Sequence, residues 1–358
     1  MPLTHMTAKQ QRIVAAWLFA VAAMVFAMIV LGGVTRLTRS GLSMVDWRPL
    51  TGWLPPLDPA EWERIFARYQ AYPEYQKTNL GMTLAEFQSI FWFEYAHRIW
   101  GRMIGAALLV PMVVFLIKGW IGRGLAPKLV GLLILGALQG VLGWYMVKSG
   151  LVDRPDVSQY RLAAHLALAL VILGFLLWVA LGLIHGRMPG PPLAAPAADQ
   201  RGSHGVQGLK RWAWGLLALI FVTALSGAFV AGLDAGLAYN TFPLMDGGLV
   251  PPGLFEIKPV YLNFFENIAT VQFDHRLLAI TVLVAVTVFW HYARKAPLTA
   301  GQRRAVNALA ALAAVQVALG ISTLLLLVPV PLAALHQAGA VALLSAAVWL
   351  IDELRAGG

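Results

Sequence analysis

Four of the eight histidines, His97, His165, His275 and His336, stand inside strongly apolar stretches of the chain. An ionisable side chain in such a place is expensive and is usually kept for a function. The four come as matching sets. Tyr95-Ala96-His97-Arg98 reads like Phe273-Asp274-His275-Arg276, and His165 and His336 follow in equivalent later stretches. Two neutral imidazoles from facing helices suit the two axial positions of a heme iron, with the flat macrocycle between the helices. The economical pairs are His97 with His165 and His275 with His336. Interhelical hydrogen bonding is the plainer alternative for any one of them. Zinc is poorly served by two histidines per set with few carboxylates and no cysteine. The absence of Cys also excludes disulfides, iron–sulfur clusters and a CxxCH heme attachment. His5, His185, His204 and His291 fall in tails, a linker or helix ends, and read as solvated or interfacial.

Charged neighbours add chemistry. Glu94 precedes His97 by three residues, one helical turn, so both share a face. The equivalent position before His275 is Gln272. A carboxylate takes or releases a proton and an amide does not. This divergence suggests one reactive site and one electron-transfer site. The alternative is that Glu94 only pairs with Arg98 at i+4. Arg98, Arg102 and Arg276 follow the histidines on the same stretches. They suit heme propionates, or else interfacial snorkelling and salt bridges to loop acids.

These residues need apolar helices to hold them. The chain is 59% hydrophobic and only 12% charged, against about a quarter charged in soluble domains. A spanning helix takes about 20 mainly apolar residues, and such runs lie near 12–31, 90–117, 128–147, 159–184, 212–231, 268–292, 304–327 and 332–351. The fold class expected is an all-α integral membrane protein. The first run is too long for a signal-peptide core and lacks a small-residue cleavage site, so it reads as a retained span. The net charge of +10 follows orientation rather than nucleic acid. Lys9, Arg12, Lys118, Arg123, Lys128, Arg187, Arg201, Lys210, Arg211, Arg294, Lys295, Arg303, Arg304 and Arg355 all fall on one side, which places both termini in the cytoplasm. A bacterial or organellar inner membrane fits. The four histidines then lie at similar depth near the outer boundary, within two turns or so of the start of the even-numbered spans.

The eight spans divide into two copies of four. Gly32–Pro56 reads like Gly227–Pro252, with Gly41 on Gly236 and Pro55-Pro56 on Pro251-Pro252. Leu138–Gly143 reads like Val315–Gly320. Gln139 and Gln316, the mid-span polar residues of note, read as interhelical hydrogen-bonding groups. Four spans return the chain to its starting side, so the copies are parallel repeats. Two pseudo-symmetric four-helix bundles are expected, 1–185 and 211–358, joined by a flexible Pro/Gly/Ala-rich linker at 186–210.

The stretch from Asn79 through Phe91-Trp92-Phe93-Glu94-Tyr95-Ala96-His97-Arg98 to Arg102 resembles the signature of the heme A synthase family. So do Tyr239-Asn240-Thr241-Phe242-Pro243-Leu244-Met245-Asp246-Gly247 and Phe273-Asp274-His275-Arg276. The likeness covers nearly the whole chain. It implies oxidation of a porphyrin methyl group of heme O to the formyl group of heme A, for terminal oxidases. It also implies a heme b held by His275 and His336, and substrate heme flanked by His97 and His165, with Glu94 the essential carboxylate. Implied partners are heme O handed over by heme O synthase, membrane lipid, an unidentified electron acceptor and a second copy of the chain. No nucleic acid is implied. Some members carry a cysteine pair in the first outer loop; this chain has none, so no thiol step operates here. The competing class is a diheme cytochrome b that only carries electrons between quinol and an acceptor. It explains four histidines but not the Glu94/Gln272 difference. A transporter would show broken helices, and a prenyltransferase would show Asp-rich magnesium diphosphate motifs.

Overall fold

The computed structural model describes residues 6–46, 52–151, 157–187 and 200–356, with backbone only for 200–206 and 356. His5 and most of the stretch expected as a linker, 188–199, lie outside the described residues, as do 47–51 of the first repeated segment. Among the described residues eight helices are long and apolar enough to cross a membrane, so the chain is an all-α multi-pass membrane protein. In chain order they are α1 (Ala8–Leu37), α4 (Leu84–Ile117), α5 (Ala126–Gly150), α6 (Gln159–Ile184), α7 (Gln200–Gly232), α9 (Ile268–Ala293), α10 (Ala300–Leu325) and α11 (Val330–Ala356). Three short helices, α2 (Pro59–Gln70), α3 (Pro73–Lys77) and α8 (Asn263–Glu266), belong to the two long connections.

Several helices begin earlier than their apolar runs. Capping boxes set three of these starts: Thr7 with Gln10, Thr83 with Glu86 and Thr299 with Gln302. In each, the Thr hydroxyl accepts from the third residue's N–H while that side chain takes the cap N–H. Helix α7 takes in 200–210, the end of the stretch read as linker. Because α4 extends outward to Leu84, His97 lies in its fourth turn. His165, His275 and His336 do lie within the first turns of α6, α9 and α11.

The neighbours repeat. In the first four long helices, α1 packs on α4 and α6, and α5 packs on α4 and α6. In the last four, α7 packs on α9 and α11, and α10 packs on α9 and α11. Helices α6 with α7, α6 with α11, and α1 with α11 join the two sets. The most buried spans are therefore α6 and α11, while α5 faces outward along nearly its whole length. Leu18, Leu173, Leu176, Val348, Leu350 and Ile351 are among the apolar side chains buried along this central seam. Polar links close it at both ends. Near one end Arg36 donates to the Ala231 carbonyl (3.0 Å) and meets Asp234 at 3.3 Å. Near the other, Asp352, 1% exposed, accepts from Arg187 (2.5 Å) and pairs with His185 (2.7 Å).

The first long connection has its own small core. Tyr69, Phe87 and Phe91 are buried against Trp62, Phe66, Tyr75 and Met82, so α2 and α3 lean on the outward extension of α4. Burial and the Glu74 carboxylate push the Tyr69 hydroxyl well above its ordinary value, and Asn79 donates to its oxygen at 2.7 Å.

Candidate functional site

Each of the four histidines is seated against a glycine of a neighbouring helix. A Cβ on Gly32 of α1 would stand 3.1 Å from Cε1 of His97, and one on Gly227 of α7 would stand 3.1 Å from Cε1 of His275. For Gly143 of α5 and His165 the distance is 3.3 Å, and for Gly320 of α10 and His336 it is 2.8 Å. At Gly320 the ring lies where a side chain would begin, and at the other three a side chain would press on the ring by a few tenths of an ångström. Both glycine pairs sit in the repeated sequence segments, so the sequence held the signal for these seats, though histidine chemistry alone did not reveal it.

The structure brings His275 and His336 together, their ring centres 6.4 Å apart and their planes at 88°. Two metal–nitrogen bonds of about 2 Å, with roughly 1 Å more from each nitrogen to its ring centre, span about the same distance. The spacing and the two imidazole donors therefore fit a bis-histidine heme iron. Among the described residues no three His, Cys, Asp or Glu side chains come together in one cluster. Gln139 donates to the His165 carbonyl (3.1 Å) and Gln316 to the His336 carbonyl (2.9 Å). These are the interhelical bonds expected of both glutamines, and here they fix the backbone that carries a histidine. The Gln316 amide nitrogen also lies 3.2 Å from Nδ1 of His336.

Glu94 is 3% exposed and fully engaged. Its Oε1 accepts from Arg98 Nη2 (2.5 Å) and Nε (3.0 Å), and its Oε2 accepts from Ser43 Oγ and the Met44 N–H, both at 2.7 Å. All four partners donate, which suits an acceptor-only carboxylate. The i+4 pair with Arg98 is therefore present, and Glu94 also anchors the loop after α1. Gln272, 2% exposed, instead donates to the Tyr239 carbonyl at 3.0 Å. Ser43 was not singled out from sequence.

The two arginines do the same job in both copies. Arg98 donates from Nη2 to the Met44 carbonyl (2.7 Å) and from Nη1 to the Asp46 carbonyl (3.0 Å). Arg276 donates from Nη2 to the Tyr239 carbonyl (2.7 Å) and from Nη1 to the Thr241 carbonyl (2.9 Å). Met44 and Asp46 follow Gly41 by three and five residues, as Tyr239 and Thr241 follow Gly236. The arginines thus hold each loop near its histidine. Arg102 lies with its guanidinium carbon 5.8 Å from the centre of the Trp53 ring.

Comparison with known proteins accords with this site. The chain matches the cytochrome oxidase assembly protein family, COX15-CtaA, over residues 15–348. It is 54% identical to the heme A synthase of Nitrosospira multiformis over 345 residues, 96% of this chain and 94% of that one. It is 51% identical to the heme A synthase of Nitrosomonas eutropha, over 95% of this chain and 93% of that one. It is 49% identical to the human heme A synthase COX15, over 96% of this chain and 83% of that one. With eight long apolar helices, paired histidines and a match of this length, the chain belongs to the COX15-CtaA family of cytochrome oxidase assembly proteins.

Proposed function

We propose that this protein is a heme A synthase that oxidises a methyl group of heme O to the formyl group of heme A. The observation that carries the reading is the near-full-length likeness to heme A synthases, at about half identity. Two histidine pairs seated alike but with unlike acid neighbours support it. The second half takes heme b on His275 and His336, with Arg276 holding the loop beside it. The first half takes heme O between His97 and His165, with Arg98 and Arg102 near its outer end. The likeness of neighbour order in the two sets of four helices supports two pseudo-symmetric bundles.

Oxidising the methyl carbon takes two rounds, each removing an electron pair. Loss of the first pair and a proton leaves a carbon that water attacks, giving an alcohol. The second round gives a geminal diol, which loses water to leave the aldehyde. Glu94, His97 and His165 form the catalytic set. The histidines would hold the substrate macrocycle in the first half, where Glu94 lies one helical turn from His97. The Glu94 carboxylate, held by Arg98, Ser43 and Met44, exchanges one of these four donors for the attacking water, aligns it and takes its proton. Heme b, when bound, supplies one-electron transfer toward an external acceptor.

The protein works in the bacterial inner (plasma) membrane with both termini cytoplasmic, a placement supported by the basic residues of the short inner segments. Its partners are heme O delivered by the heme O synthase that makes it, lipid, an electron acceptor and a second copy of the chain. The testing experiment is extraction and chromatography of the hemes from the purified protein. Heme b together with heme O or heme A is expected. Heme b alone would overturn the reading in favour of a diheme electron carrier, which the likeness of the two histidine seats also favours.

A further inference from the structure

We infer that Ser226 makes the second-half heme a resident group, and that Leu31, at the same place in the first half, leaves the first-half heme exchangeable. The inference rests on the proposed assignment of heme b to the second half and substrate heme to the first.

Ser226 and Leu31 each precede the glycine that seats a histidine, Gly227 for His275 and Gly32 for His97. The seats are alike. A Cβ would stand 3.7 Å from Nδ1 of His275 at Gly227 and 3.6 Å from Nδ1 of His97 at Gly32. The partners of those nitrogens differ. Ser226 Oγ lies 2.8 Å from Nδ1 of His275, and its hydroxyl donates to the Thr223 carbonyl at 2.7 Å. With its own proton given to Thr223, the Ser226 oxygen accepts an Nδ1–H that the Thr223 carbonyl also faces. That bond fixes the tautomer with its lone pair on Nε2, holds the ring plane, and raises the donor strength of Nε2 toward a metal. Nδ1 of His97 is buried with no hydrogen-bond partner among the described residues, and so is Nδ1 of His165. The ring of His97 is seated but not oriented, so it can turn off the iron more readily. A synthase must keep the heme that moves electrons and release the heme that it converts. The Ser226 hydroxyl, with Leu31 in its place in the other copy, contributes that difference, beside the Gln316 amide that lies 3.2 Å from Nδ1 of His336.

The test uses the purified full-length protein in detergent, loaded with heme b and heme O, and excess apomyoglobin as the heme sink. Chromatography of the hemes remaining gives a transfer rate for each. In the parent protein heme O leaves faster than heme b. Ser226→Ala still takes up heme b but loses it about 10- to 100-fold faster, the usual effect of removing a group that orients a metal ligand. Its heme b midpoint potential rises, because a weaker donor stabilises the ferric iron less. Ser226→Thr, which keeps the hydroxyl, restores both. Leu31→Ser slows heme O transfer and leaves heme b unchanged. Parental heme b transfer and potential in Ser226→Ala, with heme b absent from His275→Ala, would overturn the role of Ser226 while sparing the heme b assignment. Heme b retained by His275→Ala would overturn both.

Discussion

Gly320 approaches His336 so closely that a Cβ on the glycine would stand 2.8 Å from Cε1 of the ring. Carbon atoms do not tolerate that distance, so an added methyl must move the imidazole off its position. At Gly143 and His165 the distance is 3.3 Å, which a shift of a few tenths of an ångström relieves.

The first prediction follows from this pair. Gly320→Ala should lower heme b retention at least about tenfold, because a displaced ring no longer meets the iron along its axis. Gly143→Ala should leave heme b at the parental amount. Difference absorbance of the reduced purified proteins, at equal protein, measures both. Equal heme b in Gly320→Ala would show that His336 is not a ligand.

The second concerns Glu94. Glu94→Gln removes the ionisable group and substitutes the amide that the second copy already carries at Gln272. Heme b should remain, and heme O or a partly oxidised heme should accumulate, with heme A formation down about 10²–10⁴-fold. Ser43→Ala removes one donor to the buried carboxylate and should cost about 1.5–3 kcal/mol of stability, with heme A formation lowered much less than in Glu94→Gln. Chromatography of hemes from membranes expressing each variant at equal level separates the two effects. Parental heme A in Glu94→Gln would reduce Glu94 to a loop anchor.

The third concerns the seam between the halves. Asp352 is 1% exposed and serves both Arg187 and His185. Asp352→Ala leaves the Arg187 guanidinium without its carboxylate and should cost about 2 kcal/mol, less than a fully buried pair because both partners are partly solvated. Thermal unfolding in detergent reads the loss. Leu354→Ala, on the same turn of α11 and fully packed, gives the scale of an ordinary core deletion. An unchanged midpoint for Asp352→Ala would mean that apolar packing alone joins the halves there.

The fourth concerns orientation. A reporter active only in the cytoplasm should work when fused after Gly358 or inserted near Gly190, and should be silent near Asp58 or Gly247. The inverse pattern would place all four histidines near the cytoplasmic face.

Much of this was legible in the residues. Hydropathy alone located eight spans, because a helix crossing lipid must be apolar on all sides. The repeated His-Arg pairs stood out as candidate sites, since an ionisable group in so apolar a background is conspicuous. Helix ends were less visible. Thr83 and Glu86 start α4 in a polar stretch where hydropathy is silent, although the capping-box spacing was there to read. The packing of α2 and α3 against Phe87 and Phe91 was also hidden, because an aromatic cluster in a loop has no periodicity to give it away. Ser226 was missed for a different reason. Its role appears only when its distance to His275 is set beside the partnerless Nδ1 of His97.

The guanidinium clamps of Arg98 and Arg276 address main-chain carbonyls at residues 44, 46, 239 and 241. A carbonyl is supplied by every amino acid, so the clamp imposes a path on the chain without dictating which side chains travel along it. The two loops differ in composition, yet each is gripped at the same two positions. The same property makes the loops natural cassettes. A segment transplanted from one copy to the other should be gripped as before, carrying its new side chains to an unchanged address.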